Sequence, residues 1–292
     1  MSFLKHLFGK RKISPENKLK QLVKELQGYK WDNFPEVANL IQPAVELGFE
    51  NDTQPSLGGS RHGGYPDLPT GTEWPRHKGI PMVFIAQLNL TDLAQHHAHE
   101  YLPLNGMLYF FCYFPEPENE FGAEHPAHFN NGEYKVLFAE ESVELTPSRF
   151  PEDLTKTYRF KSQRIHFEPF FQLPPSLEHG IVDESNLSDH DKELIEEHNE
   201  VYDDYMMDQV LGIPPPMQGG ADWDWAFVYS GMSFEEYEDN PDPVLNLRSK
   251  FINLLSIPNF EVISDWQLYF GIHIDDLRKR SFEKAVLIAQ GT

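Results

Sequence analysis

A single cysteine, Cys112, is all the sequence offers, so no disulfide can brace the fold from within. It lies in the apolar run "MLYFFCYF", where a small buried side chain is expected, and a reducing compartment suits it. No stretch approaches the roughly 20 apolar residues of a membrane span. The first residues lack the long apolar core of a secretory signal, and Ser2 stands where myristoylation needs glycine. The cytoplasm is therefore the expected location. Basic residues are also scarce: 24 Lys and Arg face 46 Asp and Glu, a formal charge of −22. Residues 1–30 hold eight of those bases and two acids, or +6, which leaves −22 − 6 = −28 for residues 31–292. A body of that sign repels phosphate backbones, so no nucleic-acid partner is expected; a basic protein partner suits it.

Motifs for nucleotide, metal and nucleophile chemistry are missing too. The Gly/Pro-rich run "SRHGGYPDLPTGTEWP", residues 60–75, resembles a phosphate cradle only superficially. Gly58 and Gly63 have the spacing of a Walker loop, yet Gly64 and Tyr65 stand where Lys and Ser/Thr should be. Pro66, Pro69 and Pro75 occupy positions where a helix would have to open, so a structural loop is expected, its glycines making turns and Trp74 bracing the chain. No G-x-S-x-G elbow occurs, and Cys112 lies mid-strand. In "QHHAHE", His96 with His99 or Glu100 places two ligands on one helix face, and His125 and His128 lie in "EHPAHF". A zinc site needs three or four converging groups, so exposed histidines are the reading adopted. The acids Asp222 and Asp224 in "ADWDWAF", and Asp239 and Asp242 in "EDNPDP", lack the EF-hand spacing. As a strand, the first run puts Trp223 and Trp225 on one face and both acids on the other. No catalytic residue, metal or cofactor is assigned, and a non-enzymatic role is expected.

What is present is apolar: 40% of residues are hydrophobic and 13% aromatic, enough for a packed core. After "SPEN", with Ser14 as cap and Pro15 at the first helical position, Leu19, Leu22, Val23 and Leu26 form one helical stripe closed by Gly28. "IPMVFIAQLNL" and "NGMLYFFCYF" read as strands apolar on both faces, separated by a short helix capped by Thr91. "EYKVLFAE", "TYRF" and "RIHFEPF" continue the strands. Residues 176–210 hold twelve Asp/Glu and one Lys. Within them Ser188 caps a long helix whose apolar seam runs through Ile195, Tyr202, Met206 and Gln209, its acidic face in water. "FINLL … WQLYFGIHI" echoes "FIAQL … GMLYFFCYF", both with Leu-Tyr-Phe in the second strand. The expected architecture is α+β, with mixed, largely antiparallel sheets, peripheral helices and two related lobes. The boundaries are a basic arm and helix at 1–34 and a main domain at 35–292, with lobes 35–175 and 211–292 joined by acidic helix 176–210.

The pattern Ser60-Arg61-x-Gly63-Gly64-x-Pro66-Asp67-Leu68-Pro69, then Trp74-Pro75, Gly79-x-Pro81 and Phe84-x-Ala86-Gln87-x-Asn89-Leu90, resembles the YwqG-like family of bacterial proteins, a domain of unknown function. "LGIPPPMQGG" and "LYFGIHIDDLRKRSFEKAVLIAQ" extend the resemblance over residues 35–292. The sequence departs from that family at "ISDWQ", which keeps Asp265 without its flanking glycines. The resemblance implies a strand-rich α+β fold, no established activity, and, through relatives at toxin–immunity loci, an immunity-type role. The expectation is a binding protein whose acidic helix, with Asp203 and Asp204, meets a basic partner. The alternative is a small-molecule binding protein or hydrolase with an inter-lobe cleft lined by Arg61, Trp74, Gln87, Gln218 and Asp265. The start "MSFLKHLFGKRK" is basic and amphipathic, suited to docking on protein or, through residues 1–12, to touching a membrane surface.

Overall fold

The computed structural model describes residues 14–51, 56–96, 102–114, 129, 131–175, 177, 184–200, 208–215, 218–257 and 266–291. Helices α1 (Pro15–Leu26) and α2 (Phe34–Asn39) precede the long strand β1 (Gln42–Asn51). Short strands β2 (Arg61–His62), β3 (Asp67–Pro69), β4 (Arg76–His77) and β5 (Ile80–Pro81) lead to β6 (Val83–Asn89) and the one-turn helix α3 (Leu90–Leu93). Then come β7 (Met107–Cys112), β8 (Tyr134–Ala139), β9 (Leu145–Pro147), the second long strand β10 (Gln163–Gln172), helix α4 (Asp189–Glu200) and β11 (Gln209–Leu211). Three helices follow, α5 (Ala221–Ser230), α6 (Phe234–Asp239) and α7 (Asp242–Arg248). The chain then forms β12 (Phe251–Ile257), β13 (Trp266–His273), α8 (Ile274–Arg278) and β14 (Val286–Gly291).

Ten strands form one antiparallel sheet in the order β14-β13-β12-β11-β1-β10-β2-β6-β7-β8, which gives the α+β fold expected from the sequence. Its middle is the β1–β10 pair, in register from Gln42 opposite Gln172 to Asn51 opposite Gln163. The two expected lobes are neighbouring parts of this sheet, because β1 pairs with β10 on one side and with β11 on the other. Twist accumulated over ten strands curls the sheet almost into a closed barrel. Phe110 of β7 and Phe270 of β13, far apart in strand order, meet edge to face at 5.0 Å. Side chains close the seam: Phe138 of β8 stacks near Phe282 at 5.1 Å, and Arg280 pairs with Glu140 at 3.2 Å.

The inner face is apolar from both halves, with Val45, Ile85, Leu88, Leu108, Cys112, Leu254, Leu268 and Leu287 all buried. At about 1.5–3 kcal/mol for each large apolar side chain buried, this face dominates the stability. The short helices contribute far less. Burial pushes the Cys112 thiol up, so it packs as an inert apolar group. Strands β6 and β7 are buried on both faces, as their unbroken apolar runs predict. Over the first half the outer face, with Phe84, Tyr109 and Phe111, lies beneath the β3–β9 ribbon and Trp74. Over the second half, α5 lays Ala221 and Trp225 on Tyr269 and Ile288. A third cluster joins Leu26 of α1, Val37 of α2 and Ile195 of α4. Beside it Asp191 accepts the amides of Asp32 (2.7 Å) and Asn33 (3.0 Å), so the start of α4 holds the segment that leads into α2.

Several local expectations are corrected. "ADWDWAF" is the helix α5, not a strand. Two acids suit the first turn of a helix dipole, Gly231 stops it with a left-handed φ of 68°, and the Asp/Trp alternation is too short to fix a period of two. "TYRF" is not a strand: Thr157 and Tyr158 end the 3-10 turn Lys156–Tyr158, and Arg159 wraps onto the carbonyls of Pro151, Glu152 and Leu154. The helix after β6 is capped by Asn89, whose side chain accepts from Thr91 and Asp92, and not by Thr91. Ser14 precedes α1 without a side-chain cap, while Ser188 caps α4 at the amide of Asp191 (3.0 Å). Gln209 leaves the acidic helix and lies in β11; Tyr202 and Met206 fall outside the described residues.

Candidate functional site

The Gly/Pro run folds so that β2 sits between β10 and β6, with Arg61 opposite Gln87. Gly63 and Gly64 both take left-handed backbone, φ 61° and 68°, and turn the chain back over the sheet. A β-carbon on Gly63 would strike the carbonyl of Lys161 and the side chain of Phe160, so this turn requires glycine twice over. The turn returns Asp67 to Arg61, and the guanidinium donates to the carboxylate at 2.5 Å. The same carboxylate oxygen accepts from the Gly58 amide (2.8 Å) and from Gln87 Nε2 (3.2 Å). Gln87 Oε1 takes the Asp67 amide at 2.7 Å, and its Nε2 also donates to the Gly59 carbonyl at 2.8 Å. Arg61 further donates to the carbonyls of Ser56 (2.8 Å) and Tyr65 (3.2 Å), and Tyr109 donates its hydroxyl to the Asp67 carbonyl at 2.6 Å. Arg61, Asp67 and Gln87 are each 2% exposed or less. These bonds fix an irregular loop to the sheet.

Of the remaining residues of the predicted cleft, Trp74 and Gln218 bond elsewhere. Trp74 braces the outer face of β7, with its ring 5.6 Å from Phe111 and its indole donating to Met82 at 2.8 Å. Gln218 belongs to the second half, where it bonds the Gly291 carbonyl and, through its amide, Gln290. There Gln290 reaches Gly219 and Asp224, both at 2.8 Å, while Asp222 pairs with Arg248 at 2.6 Å. Asp265, Asp203, Asp204, His99, His125 and His128 lie outside the described residues. Among the described residues, no three His, Cys, Asp or Glu side chains converge in a way that could hold a metal. In this set no helix is long and apolar enough to cross a membrane.

The structure brings together two features that sequence reading missed. Tyr229, at the end of α5, stacks on His273 (ring centroids 5.0 Å, 11° apart) and donates to Asp276 at 2.8 Å, which also holds Lys284 at 3.2 Å. Burial, reinforced by the Asp276 bond and charge, pushes the Tyr229 phenol up to about 12, so at neutral pH it remains a hydrogen-bond donor. The second feature is a helical surface both aromatic and acidic. Trp223 stacks on Phe227 at 5.0 Å, and Phe227 touches Phe234 at 4.6 Å, yet Phe234 is 60% exposed. Around it α6 turns Glu235, Glu236, Glu238 and Asp239 to solvent, and Asp242 opens α7. The motif "FEEYED" was the available signal: an aromatic at its first position among carboxylates cannot be buried without desolvating them. Helix α4 likewise exposes Asp189, Glu193, Glu196 and Glu197.

Comparison with known families places the match over most of the chain. The model of a family described as a domain of unknown function, DUF1963, matches residues 60–290, from the buried loop to the last strand. A search of curated proteins found no match.

Proposed function

The chain belongs to the DUF1963 family, and on that premise we propose that it acts by binding, with its acidic exterior engaging a basic protein partner in the manner of an immunity protein. Within the family we group it with the YwqG-like proteins, whose pattern it carries from Ser60 to Leu90. One contrast supports this reading. The polar residues of the loop motif, Arg61, Asp67 and Gln87, are consumed by internal bonds, whereas the acids of α4 and α6 stand in solvent. Glu193, Glu196, Glu197, Glu235, Glu238 and Asp239 have no ion-pair partner among the described residues. In sequence, Asp203 and Asp204 prolong the α4 acids. Such a face steers a cationic protein during encounter and suppresses anionic competitors.

The test is capture of partners from the native host at low and high salt, followed by binding kinetics of the partner so identified. The expected result is an association rate that falls about tenfold between 50 and 500 mM salt, as screening shortens the field. Neutralising Glu193, Glu196 and Glu197 to Gln together should slow association further at low salt only. A partner whose association ignores salt would remove this mechanism.

A further inference from the structure

The acid-ringed aromatic surface of α5–α7 raises the question of what covers it. Phe234 at 60% exposure and Leu245 at 44% are large apolar side chains on adjoining short helices, next to Glu235, Glu238, Asp239 and Asp242. A segment that fits them must carry large apolar residues and several cations in a short span. The chain contains such a segment ahead of α1: within residues 1–13, Phe3, Leu4, Leu7 and Phe8 are interleaved with or followed by Lys5, Lys10, Arg11 and Lys12. It carries +4, which leaves −22 − 4 = −26 for residues 14–292.

Reach favours a contact within one molecule. Helix α1 lies over β10, through Lys18 and Glu168 at 3.2 Å, and α5 lies over β12–β14 through Trp225 on Tyr269. Glu168 and Tyr269 both belong to the outer face, since the inner core takes their neighbours Phe167, Leu268 and Phe270. Between β10 and β12 stand only β1 and β11, three strand spacings or about 14 Å. Thirteen residues span up to about 43 Å when extended. A tethered segment also meets its site at an effective concentration on the order of millimolar, so weak intrinsic affinity suffices.

We propose that residues 1–13 fold back onto the α5–α7 surface of the same molecule, with their apolar residues on Phe234 and Leu245 and their cations facing the α6 and α7 carboxylates. The inference needs no foreign partner, so it can fail while the partner-binding reading stands, and the reverse.

The experiment uses the full chain alone. At low salt, zero-length carbodiimide coupling followed by peptide mapping should join Lys5, Lys10 or Lys12 to Glu235, Glu238, Asp239 or Asp242. An equal mixture of isotopically light and heavy protein should give pairs of a single isotope. Phe234→Ala, a surface change, should lower that coupling, and Lys5, Lys10, Arg11 and Lys12 changed together to Glu should abolish it. The fourfold variant should also speed amide exchange across residues 234–247 by about threefold, since screening or removing the cations releases the arm. Coupling confined to α4, mixed-isotope pairs showing a second copy as the occupant, or coupling indifferent to Phe234→Ala would each overturn the proposal. So would arm-dependent sedimentation with anionic vesicles that leaves exchange at 234–247 unchanged in the fourfold variant.

Discussion

The two halves of the sheet repeat each other strand for strand around the β1–β10 pair, and they differ at one place that matters. Arg61 stands opposite Gln87, and Gln87 opposite Tyr109; Gln209 stands opposite Ser256, and Ser256 opposite Tyr269. Two residues before Gln87, and two before Ser256, each strand is bulged, and each second strand carries Leu-Tyr-Phe. Where the short strand ends both turns use two successive left-handed residues, Gly63 and Gly64 just after β2 in one half, Leu211 at the end of β11 and Gly212 in the other. Six residues beyond Arg61 and Gln209 come Asp67 and Pro215, whose carbonyls take the hydroxyls of Tyr109 (2.6 Å) and Tyr269 (2.9 Å). Thus the turn, the bulge and the tyrosine recur, whereas the second turn has Gln209 and Pro215 where the first has the Arg61–Asp67 pair; the second half keeps its own buried pair, Asp222 with Arg248, between α5 and α7. The backbone design closes the fold by itself; the ion pair is a local device that ties down a long irregular loop.

That comparison breaks most readily at Arg61. Arg61→Met should cost roughly 3–5 kcal/mol in urea unfolding, because Asp67 is left as a buried charge without its countercharge. Gln209→Met, at the matching position, should cost only about 1 kcal/mol, the worth of its bond to the Leu211 carbonyl. Equal losses would mean that the Arg61–Asp67 pair adds nothing beyond what the neutral Gln209 supplies to its turn.

The outer covers give the next effect. Trp225 lies directly on Gly271, where any β-carbon would overlap the indole, while Trp74 meets Phe111 edge-on. Gly271→Ala should therefore destabilise by about 2–3 kcal/mol through overpacking, read as a lowered urea midpoint with an unchanged slope. A third contrast is one of pH. Ser60 in the first half accepts the Asn89 amide at 2.8 Å, but Asp208, just before Gln209, has a buried carboxylate oxygen with no hydrogen-bond partner among the described residues. Burial, with Glu46 nearby, pushes Asp208 up to about 8. A carboxyl raised in the folded state favours folding fully below its ordinary value, and that contribution is lost as pH climbs toward 8. Asp208→Asn should hence raise Tm by about 2–4 °C at pH 9, with a smaller gain at pH 5. The smallest effect tests the repeat itself: Tyr109→Phe and Tyr269→Phe should each cost about 1 kcal/mol, and a clear inequality would mark one hydroxyl as more than a turn latch.

The repeat was partly legible in the sequence, because continuous apolar runs identify strands buried on both faces and the Leu-Tyr-Phe echo fixes their pairing. The glycine and proline turn was legible as structure for the reason that it lacks a lysine and a helix start. Its electrostatic core was not, since nothing in the spacing of Arg61, Asp67 and Gln87 tells that a double left-handed turn will fold one onto another. Gln87, opposite Tyr109, corresponds to Ser256, opposite Tyr269, whereas Gln218 follows the second turn and bonds the last strand. The α5 helix was hidden because four alternating residues fit either periodicity. Only the caps at Gly220 and Gly231 decide between them.

Strand β1 also sets a schedule for synthesis. It leaves the ribosome early, yet the neighbour on one flank, β10, begins at Gln163 and the neighbour on the other, β11, at Gln209. Until both have been translated, its backbone amides and carbonyls form an open template, the kind of edge onto which other nascent chains add. A nascent chain that ends between residues 172 and 209 therefore holds one half of the sheet with an open border along β1.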